Sequence, residues 1–147
     1  MRAPYQTLTI LYKECEGIFL YGIFFRNSHP IWQFVSGGGE NNETPMETVI
    51  REIKEEANIN INQEQVTRLD ARTTIPVVNV TGEYTWGENV YVIPEYTFAV
   101  NVSGLDITLS SEHKEYKWVE YAEAMEKLRY DSNKTALWEL NERLKKQ

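Results

Sequence analysis

A chain of 147 residues that is 41% hydrophobic and 12% aromatic has enough apolar material to bury one core, which argues against a disordered polypeptide. Its formal net charge of -7 argues against a nucleic-acid polymer as partner, since a phosphate backbone needs a basic footprint. It leaves room for a small phosphorylated ligand, whose charge bound cations can offset. Cys15 is the single cysteine, so an intrachain disulfide and a Cys-based zinc cluster are both excluded. No apolar run reaches the length of a membrane span. Residues 1–12 also lack the basic start and long apolar core of a signal peptide, so a cytoplasmic protein with no membrane partner is expected. No repeat or linker divides the chain, and residues 1–147 read as a single domain.

The alternating, Thr- and Ile-rich stretch 6–13 and the dense aliphatic and aromatic run 17–25 read as two strands, joined by a turn over 14–17. Asn27-Ser28-His29-Pro30 is a loop signal. A short strand over 31–35 then runs into the turn-like Gly37-Gly38-Gly39. A helix is predicted over 45–57. Thr44 serves as N-cap, Pro45 opens the first turn, and Glu47 completes a Thr-x-x-Glu capping box. Met46, Val49, Ile50, Ile53 and Ala57 form its apolar stripe, and Asn58 suits a left-handed C-cap. Residues 66–80 and 90–102 read as long strands around a Gly-punctuated loop over 81–89. A further strand follows over 115–119, then amphipathic helices over 122–128 and 134–145. In the last helix, Leu137, Trp138 and Leu144 are expected to pack on the sheet, with a dimer surface as the alternative. Strands bracketing one central helix, with helices at the end, predict an α/β (α+β) fold, a mixed β-sheet sandwiched between α-helices.

The central helix carries an unusual face. Glu52, Glu55 and Glu56 stand at i, i+3 and i+4 and project together beside the apolar stripe. Like charges so spaced destabilise a helix by roughly 0.2–0.5 kcal/mol per pair. A solvated acidic face would account for one such pair. The trio, however, adjoins the buried stripe and follows a glycine-rich approach where backbone can come close to a metal-bound phosphate. Arg51, at i±4 from Glu47 and Glu55, can hold their side chains. Oxygen-liganded divalent cations would offset the repulsion, with Mg²⁺ the expected ion and Mn²⁺ possible.

From Gly37, through Glu43, to Arg51-Glu52-Ile53-Lys54-Glu55-Glu56-Ala57-Asn58-Ile59, the spacing resembles the Nudix box, Gly-x5-Glu-x7-Arg-Glu-U-x-Glu-Glu-x-Gly-U, where U is a bulky aliphatic residue. Asn58 stands where the pattern has its late glycine, and asparagine is the next-best residue in a left-handed cap. The resemblance implies a Nudix-like fold and a hydrolase cutting a phosphoanhydride bond. It implies Glu55 and Glu56 as principal metal carboxylates and Glu52 as a third that binds metal or activates water. By the same resemblance Arg51 orients the carboxylates, Glu43 supports the loop, and the carbonyl of Ser36 is a further metal ligand.

Two more stretches, Trp32-Gln33-Phe34-Val35-Ser36-Gly37 and Glu112-His113-Lys114-Glu115-Tyr116-Lys117-Trp118, resemble the subgroup that cleaves dihydroneopterin triphosphate in folate biosynthesis and the nearby dATP-cleaving enzymes. Ser132-Asn133-Lys134 is similar to a Ser-Asn-Arg at the start of that subgroup's last helix. The resemblance makes Glu112 the candidate distal metal carboxylate, with Glu115 as competitor, and leaves His113 as an ordinary loop histidine or a substrate contact. A flat heterocycle needs an aromatic or apolar slot with a few polar groups at its edge. Trp32, Phe34 and Trp86 are candidates to line it, with Tyr84 and Tyr91 beside the same loop. Arg26 is placed to meet a terminal phosphate, and Gly37 and Gly38 to admit the phosphate chain. The expected reaction releases pyrophosphate from a pterin or purine triphosphate. The alternatives are a diadenosine polyphosphate or general nucleotide-cleaning hydrolase and, in another class, a Nudix-like sensor that binds without cleaving. The expected partner is a small phosphorylated substrate, and the assembly a monomer or homodimer.

Overall fold

The computed structural model describes residues 1–86, 88–111 and 113–147. In chain order its elements are β1 (Arg2–Cys15), β2 (Ile18–Arg26), β3 (Trp32–Gln33), β4 (Val35–Glu40), α1 (Pro45–Ala57), β5 (Val66–Pro76), β6 (Val92–Asn101), β7 (His113–Val119), α2 (Tyr121–Lys127) and α3 (Asp131–Lys145). The seven strands form one mixed sheet organised around the long β1. The first part of β1 runs antiparallel to β4, with Thr7 opposite Gly37, and its last residues run antiparallel to β2, with Cys15 opposite Ile18. Its other edge pairs in parallel with β6, Gln6 opposite Glu95 through Tyr12 opposite Asn101. β5 lies outside β6, while β7 and β3 both pair with β2.

Side-chain alternation along the strands divides the core into two layers. Leu8, Ile10 and Tyr12 of β1 pack with Ala136, Leu137, Leu140 and Leu144 of α3 and Ala124 of α2. Leu11 points the other way and joins Phe98, Val100 and Val102 against Val49, Ile53 and Ala57 of α1. Each such aliphatic side chain contributes roughly 1.5–3 kcal/mol by leaving water. The sheet between helices predicted from the sequence is therefore the observed architecture.

Helix α1 has the predicted bounds and the predicted cap. Glu47 N–H donates to Thr44 Oγ1 at 3.2 Å, and Thr44 N–H donates to Glu47 Oε1 at 2.9 Å. Asn58 sits in the left-handed region at φ 56° and ψ 41°, with its N–H on the Lys54 carbonyl at 3.1 Å. Three expectations need correction. Gly37-Gly38-Gly39 is no turn but part of β4, paired with β1. The strand over 66–80 ends at Pro76, and Val77–Asn79 form a turn of 3₁₀ helix. Trp138 is 56% exposed although Leu137 and Leu144 are buried, because it falls on the opposite side of α3.

Candidate active site

Helix α1 buries two acidic residues along with its apolar stripe: Thr48, Val49, Glu52, Ile53, Glu56 and Ala57 are its buried positions. Glu52 and Glu56 lie one turn apart on the sheet-facing side, whereas the Glu55 side chain is 53% exposed. Room for Glu52 comes from Gly37. A Cβ there would stand 2.1 Å from Glu52 Cδ, so the glycine is required by close approach and not by its backbone angles.

Arg51 organises the acidic side chains. Its Nε donates to Glu43 Oε2 at 2.7 Å, its Nη1 to Glu52 Oε1 at 2.9 Å and Glu55 Oε2 at 3.2 Å, and its Nη2 to the Gly38 carbonyl at 2.9 Å. Glu40 completes the set at 3.6 Å. Glu47, one of the two i±4 partners expected from the sequence, is occupied by the helix cap instead. Glu43 is anchored from several sides: its Oε1 accepts from Glu40 N–H, Thr48 Oγ1 and Arg51 Nη2, while Tyr5 O–H donates to its carbonyl. The hydrogen bonds from Arg51 hold the Glu43 carboxyl below its usual range. Burial pushes Glu52 the other way, up to about 7, with the Glu55 and Glu56 charges adding to the rise and Arg51 opposing it.

Glu56 is tied to the connection between β6 and β7 and to the start of β7. Ser110 Oγ donates to its Oε2 at 3.0 Å, and Ser110 N–H to its backbone carbonyl at 3.2 Å. His113, buried at the start of β7, brings Nδ1 within 2.8 Å of the same carboxylate, although the ring N–H is not aligned on that oxygen. Its ring packs on Phe24 with centroids 5.3 Å apart. The ordinary loop histidine expected from the sequence is thus a buried neighbour of Glu56. Glu112 lies outside the described residues, and Glu115 is exposed on β7.

Glu40, Arg51, Glu52, Glu55 and Glu56 line a cleft of about 950 Å³ together with Ser36, Gly37, Gly38 and Arg26. The donor set suits a hard divalent cation: Glu40, Glu52, Glu55 and Glu56 bring carboxylate oxygens to this cleft, a surplus of negative charge that Arg51, paired with the first three, offsets only in part. Among the described residues no three acidic, His or Cys side chains converge on one ion position. Mg²⁺ needs no such cage, since it usually takes one or two carboxylates, waters and substrate phosphates.

Among the described residues, the predicted aromatics Trp32, Phe34 and Trp86 do not line the cleft, and Tyr130 does. Phe34 is fully buried in the α3-side core, with its N–H on Asn133 Oδ1 at 2.9 Å, and Trp32 packs against that same core. Trp86 stacks on Tyr84 at 4.0 Å and donates Nε1–H to the Arg2 carbonyl at 2.7 Å, outside the cleft lining. Polar residues far apart in sequence take their place: Gln6, Gln33, Glu95, Ser132 and Asn133, reached from β1, β3, β6 and α3. Arg2, also unanticipated, lays its guanidinium on Gly38, where a Cβ would stand 1.8 Å from Nη1. Its Nε and Nη2 are buried with no hydrogen-bond partner among the described residues, and desolvation lowers its pKa. Only the cationic residue type marked it in the sequence; its distance from the box hid the contact.

A sequence model of the NUDIX domain matches residues 10–138. The chain is similar to the dihydroneopterin triphosphate diphosphatase of Haemophilus influenzae, 30% identical over 107 residues, covering 72% of this chain and 68% of that protein. It is also similar to the protein of the same name from Escherichia coli K12, 27% identical over 137 residues, 92% of this chain and 91% of that one. Among solved structures, a NUDIX hydrolase from Listeria monocytogenes superposes with a TM-score of 0.85 at 40% identity, covering 98% of this chain and 96% of the other. With the box carboxylates gathered in one cleft of a mixed sheet flanked by helices, and with these relatives, the chain belongs to the NUDIX family.

Proposed function

We propose that this protein hydrolyses dihydroneopterin triphosphate, or a closely related purine deoxynucleoside triphosphate, to pyrophosphate and the monophosphate with a divalent cation, Mg²⁺ in first place. That it is a pyrophosphohydrolase follows from its family and from relatives named as diphosphatases; the substrate and the ion are the proposal. The observation that carries the reading is the buried pair Glu52 and Glu56 on the inner face of α1, beside a glycine strand that makes room for Glu52 and for the Arg2 guanidinium. Nudix hydrolases generally use divalent cations. Such an ion, when bound, neutralises phosphate oxygens and lowers the pKa of water.

The chain's own groups supply the rest. Glu55 and Glu56, with the Ser36 carbonyl and Glu112, are the proposed cation ligands. Arg51 holds Glu52 and Glu55 in place. Glu52, pushed up to about 7, is suited to take a proton from the attacking water at neutral pH. Water adds at phosphorus, the bridging P–O bond breaks, and pyrophosphate leaves. Arg26 and Arg2, which line the same cleft, bring positive charge to the phosphates.

The test is turnover with Mg²⁺ of dihydroneopterin triphosphate, dATP, dGTP, 8-oxo-dGTP, ADP-ribose and diadenosine tetraphosphate, with pyrophosphate and single phosphate resolved and Glu56→Gln as control. Preference for the pterin with release of pyrophosphate supports the reading. Preference for another compound keeps the chemistry and overturns the substrate. Binding without turnover of any of them overturns the hydrolytic reading.

Arg2→Ala is expected to raise KM for the triphosphate by about 10- to 100-fold, the loss of a charge-assisted hydrogen bond, with a much smaller change in kcat. Steady-state kinetics on the preferred substrate checks this; an unchanged KM would exclude Arg2 from the phosphate site.

A further inference from the structure

Across the middle of the sheet, Gly38 of β4, Gln6 of β1, Glu95 of β6 and Thr73 of β5 stand opposite one another in register. Glu95 is two strands from Gly38, about 10 Å at the usual strand spacing, and lines the same cleft as the acidic cluster. It is 4% exposed. Its described partners are neutral donors, Gln6 Nε2 at 3.0 Å on Oε2 and the Ser132 hydroxyl. A buried carboxylate without a cationic partner is costly to keep unless something else uses it. Nothing in the proposed hydrolysis does.

We propose that Glu95 reads the ring of the substrate, accepting two hydrogen bonds from the adjacent ring N–H and exocyclic amino group of a 2-amino-4-oxopyrimidine, as in a pterin or guanine, and so disfavours adenine. This rests on the preceding reading and narrows its substrate class. The chemistry is one of matching edges. An ionised carboxylate offers acceptors only, with about four lone-pair positions, of which Gln6 and Ser132 occupy two. Both of those partners donate, which favours the ionised form against the burial that raises its pKa. Adenine presents an acceptor nitrogen beside its amino group, so one carboxylate oxygen would face a lone pair. A 2-amino-4-oxopyrimidine presents two donors side by side. Leu8 and Ile31 supply apolar surface in the same cleft, and Gln33 and Asn133 further amides.

The decisive comparison needs first the wild-type protein. The catalytic efficiency for dGTP should exceed that for dITP, which lacks the 2-amino group, and that for dATP by about 10- to 100-fold, the discrimination of a bidentate contact. Glu95→Gln, which substitutes a donor and an acceptor for two acceptors, should lower the dGTP to dATP ratio by a similar factor of about 10 to 100. Equal rates on dGTP and dITP, or an unchanged ratio in a folded Glu95→Gln, overturns the assignment. Titrations with neopterin, guanosine and adenosine separate it from the reaction reading. If nothing is hydrolysed but neopterin and guanosine bind in preference to adenosine, and Glu95→Gln removes the preference, ring recognition stands and the hydrolytic reading falls. No preference in binding or turnover removes Glu95 from the site while leaving the acidic cluster untouched.

Discussion

Glu52→Gln is expected to lower turnover by about 10³-fold while making the metal-free protein more stable above neutral pH, a combination that a merely structural glutamate would not give. The stability half follows from the carboxyl's displacement from an ordinary value near 4.5 up to about 7, which burial causes first, with Glu55 and Glu56 adding to it. Between those two values the folded protein binds more protons at this site than the unfolded chain does. Stability therefore falls as pH rises from about 4.5 to about 7 and stays reduced above it, by roughly 3 kcal/mol at most for a shift of that size. Glutamine cannot ionise and its carbonyl oxygen can still accept from Arg51 Nη1, so the substitution removes the cost and keeps the contact. At pH 8 without metal the melting temperature should rise by about 5 °C, and the gain should shrink toward pH 5. A divalent cation should narrow the difference, because it stabilises the ionised carboxylates of the native protein and favours only the wild type at this position. Thermal melts across pH, with and without Mg²⁺, check the stability half, and turnover on the preferred substrate checks the other. A Glu52→Gln protein that is active, or no more stable than wild type at pH 8 without metal, removes Glu52 from the role assigned to it.

The part of the site that was legible in the sequence is the part written on one helix. Capping by Thr44 and Glu47, the apolar period and the i, i+3, i+4 carboxylates are local signals, and the helix appears with the bounds they imply. The layers were legible because strands and helices alternate with distinct periods. What the sequence hid is contact across strands. Glu56 meets Ser110 and His113 from more than 50 residues away, Arg2 reaches Gly38, and Glu95 meets Gln6 only because β1 and β6 pair in parallel. Register of that kind depends on the whole sheet. The glycines misled for a related reason. A run of three reads as a turn when backbone freedom is taken as its purpose, whereas Glu52, Arg2 and Tyr5 each fill the space that a side chain on β4 would take. The aromatic residues misled by composition: Phe34 flanks the box, yet at the junction of β3 and β4 it is buried in the core, and the cleft is left to polar side chains with Leu8 and Ile31 among them.

That reading of β4 makes Gly37→Ala the second large effect to expect. A methyl group there would lie 2.1 Å from Glu52 Cδ, 2.3 Å from Oε1 and 2.6 Å from Cγ, so it cannot coexist with the present carboxylate position. The strand cannot readily retreat, since Thr7 faces Gly37 in the β1 ladder and donates its hydroxyl to the Gly37 carbonyl at 3.3 Å. The side chain must give way. Its shift breaks the 2.9 Å contact with Arg51 Nη1 and disturbs the guanidinium that also holds Glu43 and Glu55. Overpacking of this kind costs about 1–3 kcal/mol in stability. A displacement of about 1 Å in a group beside the reacting phosphate costs about 100-fold in rate. The loss should fall on kcat. Gly38→Ala provides the contrast, because its methyl group would meet Arg2 Nη1 at 1.8 Å and leave Glu52 alone, so its loss should fall on KM. Kinetics of the two variants, with circular dichroism to verify that both fold, separates the two sides of one strand. Equal effects on the same constant would mean that β4 acts only as scaffold; a Gly37→Ala enzyme with wild-type kcat would mean that the position of Glu52 does not limit the chemistry.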